Sequence, residues 1–231
     1  MRIMSFNTQH CLNFVEKRID FQLMADTIKG IGPDFVGLNE IRGEGPHPDY
    51  TPQTEKLSEL LGMEHYYFAK ALDLPEGIYG NALISKIPIV SAETILVPEH
   101  EGKKDVLYEQ RCLLKARLEN GYTVLVIHMG RSEPEAVMAV KTVVENLVDE
   151  KCILMGDFNL TPDSPILLPI RERMRDTAEL FTEEKLSFPS DKPDIKIDYI
   201  FVSKDIKPIS ADIPHIVASD HRPYIADIEA L

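Results

Sequence analysis

The sequence predicts an α/β (α+β) fold in which β-strands are covered by helices and the sheet content is at least partly antiparallel. Two observations carry this. Helix-patterned segments run straight into short apolar stretches that stop at a polar residue, 17–28 into 35–38 and 132–149 into 152–155, the alternation expected of strands packed under helices. The stretches 113–118 and 124–128 flank Asn120-Gly121, a hairpin signal because both residues accept the positive φ of a tight β-turn. The 231 residues fall within the size of one large domain and no low-complexity linker divides them, so a single domain over 1–231 is expected.

Residues 3–6 are apolar and end at Asn7, the first strand with a polar group at its tip. Over 17–28, Ile19, Leu23, Met24, Thr27 and Ile28 share one helical face, and Gly30 with Gly32-Pro33 closes the helix. The next strand, 35–38, delivers Asn39-Glu40. Further β-like stretches lie at 80–85, 89–97, 112–118 and 122–128.

Ser132 and Glu135 have the S-x-x-E form of a capping box, and Val137, Val140, Val144, Leu147 and Val148 mark one face of the helix it opens. That helix feeds Cys152-Ile153-Leu154-Met155-Gly156-Asp157-Phe158-Asn159, a strand that stops at a glycine and presents two polar side chains. With period two continued past Gly156, Asp157 and Asn159 point the same way. The last third offers strands at 197–202, 206–213 and 223–228, and a proline-rich surface loop at 188–193 that borders the site.

A hydrophobic fraction of 44% and a charged fraction of 27% are ordinary for a soluble globular protein. The net charge of −13 is more selective. Proteins that track a phosphate backbone neutralise it with Lys and Arg, whereas here basic residues gather only in pairs such as Lys17-Arg18 and Lys103-Lys104. Long nucleic acid is therefore disfavoured as a partner. Cys11, Cys112 and Cys152 form an odd set without C-x-x-C spacing, which points to buried thiols and away from disulfides or zinc. The amino terminus enters strand-like sequence without an apolar leader, and nowhere do eighteen apolar residues run together. A cytoplasmic protein with no membrane span is expected.

The polar residues at strand ends are Asn7, Glu40, His128, Asp157, Asn159, Asp198, Asp220 and His221. Each alone has an ordinary explanation: an Asp-x-Asn after a strand caps a turn, Ser-Asp-His forms a turn or helix cap, and a single Glu is usually solvated. Packing alone does not produce all of them together at strand tips.

Ser5-Phe6-Asn7, Asn39-Glu40, Ile127-His128, Gly156-Asp157-Phe158-Asn159, Ile197-Asp198-Tyr199-Ile200 and Ser219-Asp220-His221 together resemble the endonuclease/exonuclease/phosphatase superfamily, in that family's order. This group includes DNase I-like nucleases, inositol-polyphosphate phosphatases, sphingomyelinases and deadenylases. The resemblance implies a four-layered DNase I-like fold, a two-sheet mixed β-sandwich flanked by helices with the site at one edge. It also implies a metal-dependent phosphoesterase using Mg²⁺, with Mn²⁺ able to substitute. Glu40 then resembles the principal metal ligand, with Asn7 beside it and Asp220 an outer ligand. Asp157 resembles the group that orients or deprotonates the attacking water, helped by Asn159. Asp198 resembles the acid that holds His221, and His128 and His221 the donors to non-bridging phosphate oxygens.

Gly80-Asn81-Ala82-Leu83-Ile84-Ser85 resembles the family strand in which Asn81 faces the phosphate, although an asparagine also simply opens strands. Glu109-Gln110-Arg111 resembles an E-x-R element whose arginine reads a substrate anion, with a surface salt bridge as the other reading of Arg111. Gln9 stands where the DNA-repair branch commonly has a carboxylate, Ile127 where threonine is frequent and Asn39 where glutamine is frequent. The acidic charge and compact length favour a phosphorylated small molecule, a lipid headgroup or a short oligonucleotide as substrate. A nuclease, or a non-catalytic binding protein on the same fold, are the alternatives. Specificity is expected in the loops at 42–54, 72–79, 98–109 and 185–194.

Overall fold

The computed structural model describes residues 1–99 and 108–229. In chain order the elements are β1 (Arg2–Asn7), α1 (Phe21–Ile31), β2 (Phe35–Arg42), α2 (Gln53–Leu61), β3 (His65–Leu74), β4 (Gly77–Ser85), β5 (Ile89–Leu96), β6 (Cys112–Leu118), β7 (Thr123–His128), α3 (Glu133–Asn146), β8 (Cys152–Asp157), α4 (Leu168–Arg173), β9 (Met174–Asp176), β10 (Asp198–Ser203), β11 (Pro208–Asp212) and β12 (Tyr224–Ile228). They form two six-stranded sheets, ordered β11-β12-β1-β2-β4-β3 and β5-β6-β7-β8-β10-β9. Each is mixed, with β1 parallel to β2 and β7 parallel to β8 among antiparallel neighbours.

The central strands are buried on both faces, so alternate residues enter different cores. In β7, Val124 and Val126 join the core between the sheets while Leu125 and Ile127 join the core under α3 and α4; in β8, Ile153 and Met155 divide from Cys152 and Leu154 in the same way. On the other sheet, Phe35 faces inward, and Val36 and Leu38 pack with Met24, Ile28 and Leu57 of α1 and α2. The result is the helix–sheet–sheet–helix layering of the DNase I-like sandwich. At Gly37 the sheets touch: a Cβ there would lie 2.6 Å from Met155 Sδ and 2.9 Å from Val126 Cγ2. Only a residue without a side chain lets them approach this closely.

The Asn-Gly hairpin forms as expected between β6 and β7. The capping box also forms: Ser132 Oγ accepts from Glu135 N and the Glu135 carboxylate accepts from Ser132 N, although the helix stops at Asn146, short of the expected 149. Helix α1 starts four residues later than its apolar pattern suggests. Asp20 caps it by accepting from Leu23 N at 3.0 Å, while Ile19 pairs with Leu12 in an isolated bridge. The stretch 72–79, expected as a loop, is the end of β3, a turn and the start of β4. Part of the expected loop 98–109, residues 100–107, lies outside the described residues. Cys11, Cys112 and Cys152 are free and buried. Among the described residues, no helix is long and apolar enough to cross a membrane.

Candidate active site

The parallel pairs of both sheets end at the same edge. Register sets Asn7 opposite Asn39 in β1–β2, His128 opposite Asp157 in β7–β8, and Asp198 opposite Asp157 in β8–β10. One sheet therefore supplies Asn7 and Glu40 and the other supplies His128, Asp157 and Asp198. His221 arrives on the segment between β11 and β12. All of these except the half-buried Glu40 are buried.

Two backbone features aim the acids. Gly156 has φ +142°, and a Cβ there would sit inside the Ile127 carbonyl oxygen, so β8 reaches His128 only with glycine before Asp157. Strand β2 is bulged between Leu38 and Ile41, and Glu40 occupies the bulge at φ +60°. That conformation costs a side-chain-bearing residue about 1–2 kcal/mol and turns the carboxylate out of the strand's alternation.

Asp157 and Asn159 do meet, but not by strand alternation. Strand β8 ends at Asp157 and the chain turns, with Asn159 at φ +51°. Asn159 N donates to Asp157 Oδ1 at 3.0 Å, and Asn159 Nδ2 donates to the Met129 carbonyl at 2.9 Å. Asn7 Nδ2 donates to both Glu40 Oε1 and Asp157 Oδ2 at 3.1 Å, linking the acids across the seam between sheets. Its Oδ1 accepts from Gln9 N at 3.0 Å.

Asp157 lies between two unlike imidazoles. His221 Nδ1 is 2.8 Å from Asp198 Oδ2, and its Nε2 is 3.5 Å from Asp157 Oδ2. Burial disfavours its cation, but Asp198 and Asp157 outweigh burial and lift its pKa to about 10, so this ring is charged at neutral pH. His128 Nε2 is 3.4 Å from the same Asp157 oxygen. Burial first, then Arg111 and His221, push its pKa well below the usual value, so this ring is neutral. Burial raises the Asp157 carboxyl, against the charge of His221.

Arg111 Nη1 lies 3.1 Å from His128 Nδ1, and Nη2 lies 2.9 Å from Glu109 Oε2. With Glu40, Tyr79, Tyr108, His128 and Arg131, Arg111 lines a cavity of about 440 Å³. Asn81 is not on that lining. Its Oδ1 accepts from Asn39 Nδ2 at 2.9 Å and its Nδ2 donates to the Cys112 carbonyl at 3.0 Å. Asp220 Oδ1 accepts from Ser219 Oγ at 3.0 Å, and its carbonyl accepts from Ser190 N at 2.7 Å.

Three further residues belong to the site. Tyr79 is half-buried beside Glu40 on the cavity wall; desolvation, then Glu40, raise its pKa well above the ordinary phenol value. It gets there through the β3–β4 hairpin, for which the sequence carries no turn signal strong enough to set register. Phe188, on the proline-rich loop, packs its ring 4.8 Å from that of His221. Asn39 ties the sheets together: its Oδ1 accepts from Asp157 N at 2.9 Å, and its Nδ2 donates to Ile127 O at 3.0 Å as well as to Asn81. Its place beside Glu40 was the available signal. Asn39→Ala leaves three buried groups unpaired and is expected to lower unfolding free energy by about 3 kcal/mol in chemical denaturation; a loss under about 1 kcal/mol would show that the tether is dispensable.

Asp157, Asp198 and His221 present ligand-type atoms within 4.8 Å of one another. They make a proton-holding cluster as it stands, because an imidazolium has no lone pair for a metal. Glu40 is the better holder. Its carboxylate is half-buried on the cavity wall and accepts from the Asn7 amide at 3.1 Å. Oxygen donors with space for water suit a hard divalent cation.

A model of the Endonuclease/Exonuclease/phosphatase family matches residues 4–221. The chain belongs to this family. Family members are hydrolases acting on phosphoester bonds, and most depend on a divalent metal. YbhP of Escherichia coli K12 is 24% identical over 258 residues, spanning 98% of this chain and 95% of YbhP. An endonuclease/exonuclease/phosphatase from Beutenbergia cavernae has a TM-score of 0.79 at 22% identity, covering 100% of this chain and 71% of that one. The mannosyl-6-phosphatase Bt3783 of Bacteroides thetaiotaomicron has a TM-score of 0.76 at 16% identity, covering 99% of each chain. At such identities these likenesses establish a shared fold.

Proposed function

We propose that this family member is a Mg²⁺-dependent phosphoesterase, active also with Mn²⁺, that hydrolyses a small phosphorylated molecule by water attack. The observation that carries the reading is Asp157, buried between a charged and a neutral imidazole and joined to Glu40 through one asparagine. Glu40 and Asn7 would hold the cation, with Asp220 as a further ligand. The ion supplies neutralisation of phosphate charge and stabilisation of the departing oxygen. Asp157 accepts the proton of the attacking water, and Asn159 holds that water against the phosphate. His221, kept charged by Asp198, and His128 donate to the non-bridging oxygens as negative charge builds there. Asn81 acts from behind, by holding Asn39.

A cavity of about 440 Å³ suits a small polar group. The lining sets arginines and tyrosines beside the carboxylates of Glu40, Glu109 and Glu135, a mix that suits a phosphorylated molecule bearing hydroxyls, and the net charge of −13 opposes a long polyanion. The fold shared with a mannosyl-6-phosphatase supports the same class. A panel of sugar phosphates, nucleotides, lipid headgroup esters and plasmid DNA, assayed with Mg²⁺ or Mn²⁺, tests the reading. Turnover confined to small phosphoesters is expected. Preferred cleavage of plasmid in high salt would make the protein a nuclease, and metal binding without any turnover would make it a binding protein.

A further inference from the structure

We infer that Arg111 is a positioning residue that locks His128 in its Nε2–H tautomer, so that this ring serves the reaction as a neutral hydrogen-bond donor. The inference rests on the phosphoesterase reading for its purpose and on hydrogen-bond chemistry for its content. A guanidinium has five N–H donors and no acceptor. With Arg111 Nη1 at 3.1 Å, His128 Nδ1 must present a lone pair, and the one proton of a neutral ring then sits on Nε2.

A competitor faces the other end of the ring. Asn159 Nδ2 lies 3.2 Å from His128 Nε2 and is also a donor. A neutral imidazole has one lone pair, so the two donors cannot both be satisfied. Charge and alternatives decide in favour of the arginine. Arg111 brings a full charge, is held in place by Glu109 at 2.9 Å, and has a buried Nε without a partner among the described residues. Asn159 keeps its own acceptor, the Met129 carbonyl at 2.9 Å, and loses little. The released Nε2–H has an anionic acceptor in Asp157 Oδ2 at 3.4 Å, a contact long enough to yield to a phosphate oxygen. Arg111 thereby gives one N–H of each terminal nitrogen to a protein group, His128 and Glu109, whatever its remaining donors meet in the cavity.

The ring tautomer is read directly from long-range ¹H–¹⁵N correlation spectra of the whole protein labelled at histidine, with and without Mg²⁺ and inorganic phosphate. The His128 signals are assigned by their loss in His128→Gln. At neutral pH the wild-type ring is expected to carry its proton on Nε2. Arg111→Met is expected to shift it toward the Nδ1–H form, in which Nε2 accepts from Asn159. On whichever phosphoester the protein turns over, Arg111→Met lowers kcat about a hundredfold and moves KM by less than roughly threefold. Arg111→Lys, which keeps a cationic donor, retains the Nε2–H form and part of kcat. An Nδ1–H or doubly protonated ring in the wild type overturns the inference, as does an Nε2–H ring unchanged in Arg111→Met. The spectra need no turnover, so a protein with the predicted tautomer but no phosphoesterase activity would sink the functional reading and leave the lock standing.

Discussion

Asp157→Asn is expected to lower kcat by about 10³-fold while leaving the fold intact. The substitution keeps the shape of the side chain and removes only its ability to take a proton. The surroundings tolerate the change unevenly. Asn7 Nδ2 and Asn159 N donate to the two carboxylate oxygens, so the new amide nitrogen must face one of these donors. His221 also loses one of the three carboxylates that favour its charge. Against this, a carboxylate disfavoured by burial is replaced by a neutral group. These effects oppose one another, and the unfolding free energy should move by no more than about 2 kcal/mol. Steady-state kinetics with urea denaturation checks both parts. A variant that keeps a tenth or more of kcat would remove Asp157 from the role of base.

His221→Ala should cost both activity and stability, and the stability cost should shrink as pH rises toward 10. The substitution leaves Asp157 and Asp198 buried without the cation between them, a loss of about 3–5 kcal/mol, and it removes a phosphate donor worth about 10²–10³ in kcat. In the wild type the His221 pKa is raised to about 10, so its contribution is fully present below the unfolded histidine value and is lost progressively as pH rises from there through 10. In the variant the Asp157 pKa, already raised by burial, loses the opposing charge of His221 and rises further. A carboxyl whose folded pKa exceeds its unfolded value gives up stability as pH rises through that range. That loss in the variant offsets the wild type's own loss of the His221 contribution near neutral pH, so the gap should change little from about pH 5 to about pH 8 and close as pH rises toward 10. A gap undiminished near pH 10 would mean that the cluster is not held together by charge.

The parts of the fold visible in the sequence are those whose side chains have no choice of surroundings. Strands β1, β2, β7 and β8 are apolar on both faces and stop at polar groups, so their tips could be found without knowing how the sheets pair. Helix α3 announced itself through Ser132 and Glu135. Strand β3 did not, because its exposure follows no clean alternation and its pairing with β4 holds it in place. Helix α2 has neither a side-chain cap nor a long apolar face. At the site, Asn7, Glu40, His128, Asp157 and Asp198 were legible as strand-end residues. Tyr79 and Phe188 were not, since each reaches the site through a hairpin or loop whose path depends on distant contacts. The convergence of Asp157 and Asn159 was expected for the wrong geometric reason: a left-handed residue supplied what period two could not.

The close approach of the sheets at Gly37 has a consequence for chemistry as well as packing. Asn39 and Glu40 follow two and three residues later on the same strand, while Met155, which a side chain at 37 would strike, precedes Asp157 by two on the facing sheet. The gap between the sheets thus works as a calliper for the gap between the acids. A methyl group added at position 37 would open the jaws near their pivot and spread the acids at their tips, leaving every site side chain present. The spacing the reaction depends on is guarded by an atom that is not there.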